Sequence, residues 1–120
     1  MATILIVEDS PDNMKLFRTL LTLKQHTIVG LVSGEGLLAT IERSQPALVL
    51  MDIQLPGKDG FELLREIRAS PHRALRVVAL TAHAMAGDRE RALEAGFDGY
   101  ITKPIDIRYV RDDIHYIGIP

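Results

Sequence analysis

Short apolar runs alternate along the chain with segments in which apolar residues recur every three or four positions. Thr3–Val7 (TILIV) is apolar and rich in β-branched residues, reads as a buried strand, and stops at Glu8-Asp9. Ser10-Pro11 supplies a helix cap and a first helical residue, after which Met14, Phe17 and Leu21 fall at helical spacing. Residues 27–32 (TIVGLV) form a weaker strand, and Leu37, Leu38 and Ile41 mark a short second helix. Residues 47–51 (ALVLM) are five apolar positions in succession, the pattern of a strand covered on both faces, and Asp52 stands at their end. Pro56, Gly57 and Gly60 mark a loop. Phe61, Leu64 and Ile67 stripe a third helix whose wet side carries Glu62, Arg65 and Glu66. Arg76–Thr81 (RVVALT) is a fourth strand, followed by a helix with Asp88 as its expected cap, Ala92 and Leu93 within it, and Gly96 as its stop. Gly99–Thr102 is a short fifth strand ending at Lys103-Pro104. Ile107, Val110, Ile114 and Ile117 stripe a last helix with Asp106 as its cap.

Five strands alternating with five helices predict an α/β fold, a parallel sheet with helices on both faces and right-handed crossovers. In such open sheets the ligand site lies outside the carboxyl ends of the strands, where strand order reverses. At 120 residues the whole chain, 1–120, is expected to be one domain with a core of its own. A charged fraction of 25% and a hydrophobic fraction of 47% are ordinary for a globular protein and exclude disorder. The formal net charge of -2 offers no basic footprint for nucleic acid. Cysteine is absent, which removes disulfides and thiol chemistry. No apolar run nears the about 20 residues of a membrane span, and no basic-then-apolar leader precedes the first strand, so a cytoplasmic protein without membrane contact is expected.

The chemistry gathers at the strand ends: Glu8 and Asp9 after the first, Asp52 after the third, Thr81 after the fourth and Lys103 after the fifth. Taken singly, each has an ordinary explanation. An aspartate after a strand caps a helix or closes a turn, an acidic pair sits in a solvated loop, and a lysine lies on the surface. One shared site accounts for all of them better than separate explanations do. Three crowded carboxylates repel and call for a cation, and all-oxygen ligation favours Mg2+. A lysine holds a phosphoryl oxygen as a point charge, and a threonine adds a hydroxyl donor. A carboxylate nucleophile with these neighbours suits phosphoryl transfer onto an aspartate.

The segments ILIVEDSPDN, ALVLMDIQLPGKDGFELL, VVALTAHAM and AGFDGYITKP resemble the response-regulator receiver domains of two-component signalling, in order and over nearly the whole chain. The resemblance implies the flavodoxin-like receiver fold, a five-stranded sheet ordered 2-1-3-4-5. It implies that Asp52 is the phosphoacceptor, receiving a phosphoryl group from a histidine kinase or histidine phosphotransfer protein. Asp9 and Asp52, with the backbone carbonyl of Gln54, match the Mg2+ ligands, and Glu8 matches the second acid that acts through water. Lys103 matches the lysine that contacts the phosphoryl group, and Pro104 beside it suggests a cis peptide. Thr81 matches the hydroxyl that moves toward the phosphoryl oxygen, and Tyr100 the aromatic that turns inward with it. Gln54 and His83, two residues after the acceptor and two after the threonine, match positions that modulate the lifetime of the phosphoryl group. His26, His72 and His115 show no ligand spacing and are expected to be solvated.

Nothing follows the receiver pattern, and Met1 directly precedes the first strand, so a stand-alone regulator is expected. It would act on a protein target through the fourth helix, fifth strand and fifth helix. It is expected to be no enzyme in the ordinary sense, catalysing only its own phosphorylation and dephosphorylation. TAHAM and GYITKPI also resemble receivers of hybrid histidine kinases, which keeps a receiver fragment of such a kinase as an alternative, beside a phosphorylation-independent docking module. A haloacid-dehalogenase-like phosphatase requires a second aspartate two residues after the nucleophile at the first strand, where this chain has Pro11 after Asp9. A flavin or nucleotide module would want a phosphate loop where Glu8-Asp9 instead repels phosphate. The terminal Ile117 and Ile119 are expected to complete the core.

Overall fold

The computed structural model describes residues 3–23, 25–55, 57–81 and 87–102. Five strands, β1 (Thr3–Val7), β2 (Thr27–Leu31), β3 (Leu48–Asp52), β4 (Arg76–Thr81) and β5 (Gly99–Thr102), alternate with the helices α1 (Pro11–Leu23), α2 (Leu37–Ser44), α3 (Gly60–Arg68) and α4 (Asp88–Ala95). Each pair of successive strands is joined through a helix, so the strands run parallel, in the order β2-β1-β3-β4-β5. The order reverses between β1 and β3, the switch point at which such sheets bind ligands. This is the doubly wound (βα) sheet expected from the alternation and from the resemblance.

Strand alternation divides the apolar residues between two faces. Ile4, Ile6, Leu48, Leu50, Val78 and Leu80 pack on one face against Phe17 and Leu21 of α1. Leu5, Val7, Val49, Met51, Val77 and Ala79 pack on the other against Leu37 and Ile41 of α2, Leu63, Leu64 and Ile67 of α3, and Ala92 of α4. With helices on both sides, every residue of β3 is buried, which explains its unbroken apolar run. Among the described residues no helix is long and apolar enough to cross a membrane.

Several local expectations are corrected. The third strand extends one residue further than its apolar run, because Asp52 pairs in register with Leu80 of β4. The second strand stops at Leu31, and Val32 turns out to 70% exposure. Asp88 is the first residue of α4; the cap is Gly87, whose φ of 91° is a backbone state that favours glycine. Gly60 likewise opens α3, and Asp59 caps it by accepting the Glu62 N–H at 2.9 Å. His26 is buried because the turn into β2 folds inward, its N–H donating to the Leu21 carbonyl at 3.2 Å. His72 is also not simply solvated: its Nε2 lies 2.9 Å from Glu42 Oε2. Pro56, Pro104, His115, Ile119 and the whole expected last helix, from Asp106 to Ile117, lie outside the described residues.

At the amino ends of β4 and β5 the Arg68 guanidinium bonds the carbonyls of Arg73 and Leu75 through one nitrogen. Through another it bonds the Gly96 carbonyl and Asp98 Oδ2, each at 2.9 Å. Asp98 Oδ2 also accepts the Val77 N–H at 2.8 Å, so one side chain ties the end of α3 to two strand entries. The bare ion pair is half exposed and adds little, but truncation strands partly buried carbonyls. Arg68→Ala is expected to lower stability by about 2 kcal/mol. Urea denaturation should show the shift in the midpoint with an unchanged slope.

Candidate functional site

Register assembles the site. Val7 pairs with Met51, so the next residues, Glu8 and Asp52, stand side by side where β1 and β3 leave the core. The Glu8 N–H bonds the Leu31 carbonyl at 2.9 Å, carrying the sheet one residue past β1. Asp52 pairs with Leu80, placing Thr81 just beyond it on the next strand, and Thr81 pairs in turn with Thr102. Carboxylate oxygens of Glu8, Asp9 and Asp52 all lie within 4.8 Å of one another. Glu8, Asp52 and Thr81 are buried, with Glu8 and Thr81 at 0% exposure, and Asp9 is exposed at the mouth. The acids separated by more than forty positions in the sequence thus form one cluster, as expected from the strand ends.

The supporting bonds are local. Asp52 Oδ1 accepts the Gln54 N–H at 2.8 Å, a side-chain turn that fixes the carboxylate against its own loop. The loop is held at both sides, by the Ile53 N–H on the Leu80 carbonyl at 3.0 Å and the Gly60 N–H on the Ile53 carbonyl at 3.3 Å. Glu8 Oε1 accepts from Asn13 Nδ2 at 2.9 Å. Asn13 lies in the first turn of α1, where its N–H also reaches Ser10 Oγ at 3.4 Å. Sequence reasoning missed Asn13. Its position five residues after Glu8, across a single turn into the helix, is the signal that could have found it.

Two unit charges at this separation repel by about 3–4 kcal/mol at an effective dielectric of 20. A cation reverses the sign of that term. The donors are hard carboxylate oxygens, with neither thiolate nor imidazole among the clustered groups, which fits Mg2+ rather than a softer metal. Tyr100 is half-buried on β5, in register with Ala79 and packed against the core beneath α2, α3 and α4. Lys103 and His83 lie outside the described residues.

Known proteins share this fold. A family model described as the response regulator receiver domain matches residues 4–115. The polar-differentiation response regulator DivK of Brucella ovis is 38% identical over 118 residues, spanning 97% of this chain and 96% of that protein. Among solved structures, the receiver domain of a Pseudomonas aeruginosa sensor histidine kinase, described with a magnesium ion coordinated in its active site cleft, matches with a TM-score of 0.84. It shares 34% identity over 98% of both chains. The BeF3-activated N-terminal receiver domain of Klebsiella pneumoniae RstA matches with a TM-score of 0.85 at 31% identity, covering 95% of this chain and 96% of that one. With a doubly wound sheet ordered 2-1-3-4-5 and an acidic cluster at its switch point, the chain belongs to the response-regulator receiver family of two-component signalling.

Proposed function

We propose that residues 1–120 form a receiver that accepts a phosphoryl group on Asp52 from a histidine kinase or histidine phosphotransfer protein, and that the modified aspartate switches a protein-binding surface. The observation that carries this is the convergence of Glu8, Asp9 and Asp52 at the carboxyl edge of the sheet, with Thr81 on the neighbouring strand. A carboxylate oxygen of Asp52 attacks the phosphorus of the donor, an acyl phosphate forms, and the P–N bond to the imidazole breaks, the ring leaving with its electron pair. Bound Mg2+ would supply charge neutralisation for the attacking carboxylate and the transferring phosphoryl oxygens. Asp9, Asp52 and the Gln54 carbonyl would hold it directly, and Glu8 through water. The Gln54 N–H bond on Oδ1 orients the nucleophile against its own loop. Lys103 is assigned to the phosphoryl oxygens, and Gln54 and His83 to the lifetime of the acyl phosphate, including self-catalysed hydrolysis.

The switch follows from added charge. A phosphoryl group on Asp52 places new anionic oxygens beside a buried hydroxyl, and Thr81 is drawn to them. Tyr100, half-buried one strand away, then has room to turn inward, and the surface of α4, β5 and the last helix changes shape for its target. A receiver within a hybrid kinase would use the same chemistry, and the likeness to the Pseudomonas sensor-kinase receiver favours it as a second reading.

Acetyl phosphate with and without Mg2+, read by intact mass, tests the proposal. One added phosphoryl group that requires both Mg2+ and Asp52 is the expected outcome. Failure to form either that adduct or a beryllium fluoride complex would overturn it in favour of a docking module.

A further inference from the structure

We propose that Asn13 is a positioning residue for the cation-binding cluster, acting through Glu8. The inference rests on the Mg2+ reading above and extends it to a residue outside the ligand set. Glu8 is wholly buried, so its carboxylate must be held by protein groups if it is to stay charged. Asn13 supplies one such group, an amide N–H on Oε1 at 2.9 Å. The bond also links two rigid elements, since Glu8 continues β1 and Asn13 belongs to the first turn of α1. A neutral donor suits this place. A lysine there would compete with the cation for the cluster, and an aspartate would add a fourth negative charge. The amide stabilises the carboxylate and leaves the cluster's net charge for the metal.

Asn13 also has a plain structural role as a first-turn residue bonded to Ser10. The two roles separate experimentally. Mg2+ binding to the intact protein is measured by isothermal titration for the wild type, Asn13→Ala, Asn13→Leu, Thr19→Ala and Asp9→Asn. Leucine is close to asparagine in size and a better helix former, but has no donor. Thr19 lies on the same helix and bonds only the Lys15 carbonyl among the contacts described for it, at 2.9 Å. Both Asn13 variants are expected to bind Mg2+ about tenfold more weakly, the lower end for a residue that orients a ligand, with Thr19→Ala unchanged. Retained wild-type affinity in Asn13→Leu, with binding lost in Asp9→Asn, would overturn the Asn13 assignment alone. A wild type that binds no Mg2+ would overturn the cation site itself.

Discussion

Asp52→Asn is expected to abolish phosphoryl uptake and, in EDTA, to raise the midpoint of thermal unfolding by about 4–8 °C. Loss of uptake follows because an amide oxygen is no nucleophile toward phosphorus. The gain in stability follows from the cluster itself. Asp52 is buried beside Glu8, also buried, and the exposed Asp9, with their carboxylate oxygens within 4.8 Å, so like charges repel one another in the cation-free protein. Asparagine keeps an oxygen to accept the Gln54 N–H, now bonded at 2.8 Å, while removing one charge. Recovering about 1–2 kcal/mol of that repulsion is a conservative figure, since the unfolded chain and solvent already screen part of it. Mg2+ should invert the ranking, because a ligand that binds only the folded state stabilises it in proportion to its affinity. Scanning calorimetry of both proteins, in EDTA and in saturating Mg2+, checks this. An Asp52→Asn midpoint at or below that of the wild type in EDTA would mean that the three carboxylates do not strain the fold.

Gly60→Ala is expected to be the most damaging single methyl group that can be added near the site. A Cβ at position 60 would stand 2.7 Å from the Ile53 Cα and 2.8 Å from the Asp52 carbonyl oxygen, both backbone atoms that cannot swing aside. Relief requires α3 to back away from the end of β3 or the Asp52–Ile53 peptide to move. The expected loss is about 2–3 kcal/mol, with slower uptake from acetyl phosphate because the acceptor is displaced. Gly57 serves as the contrast. Its φ of 77° strains any side chain, but among the described residues no atom beyond its chain neighbours stands within 4 Å of the added carbon. Gly57→Ala should therefore lose only about 1 kcal/mol and retain the site geometry. Equal effects of the two substitutions on stability would refute the close-approach argument.

The strand ends were legible because the apolar runs stop abruptly at acids or hydroxyls, and a parallel fold sends all such ends to one edge. Glu8, Asp52 and Thr81 lie there. The strand order was not legible from periodicity, which cannot say that β1 lies between β2 and β3; it came with the resemblance, and the sheet has it. What escaped was side-chain geometry. Gly87 and Asp88 are both plausible caps, and only the backbone angle decides between them. His26 looks polar in a turn yet is buried. Asn13 looks like any first-turn residue until its distance to Glu8 is known. Arg68 and Asp98 sit thirty positions apart and pair at 2.9 Å, which no local pattern encodes.

That last pair has a dynamic corollary. Arg68 clasps the strands where they enter the sheet, at the edge opposite the acids, so the protein is bound along one side like a book at its spine. Amide hydrogens at the spine, those of Val77 and Asp98, are each held in this network, the Asp98 nitrogen lying 2.7 Å from the Val77 carbonyl oxygen. They should exchange with solvent deuterium only when the whole domain opens. Among the described residues the Gln54 amide is bonded to the Asp52 carboxylate, outside any strand ladder, and should exchange through small local excursions. A phosphoryl group at the open edge, as proposed, would thus reshape the leaves without loosening the binding.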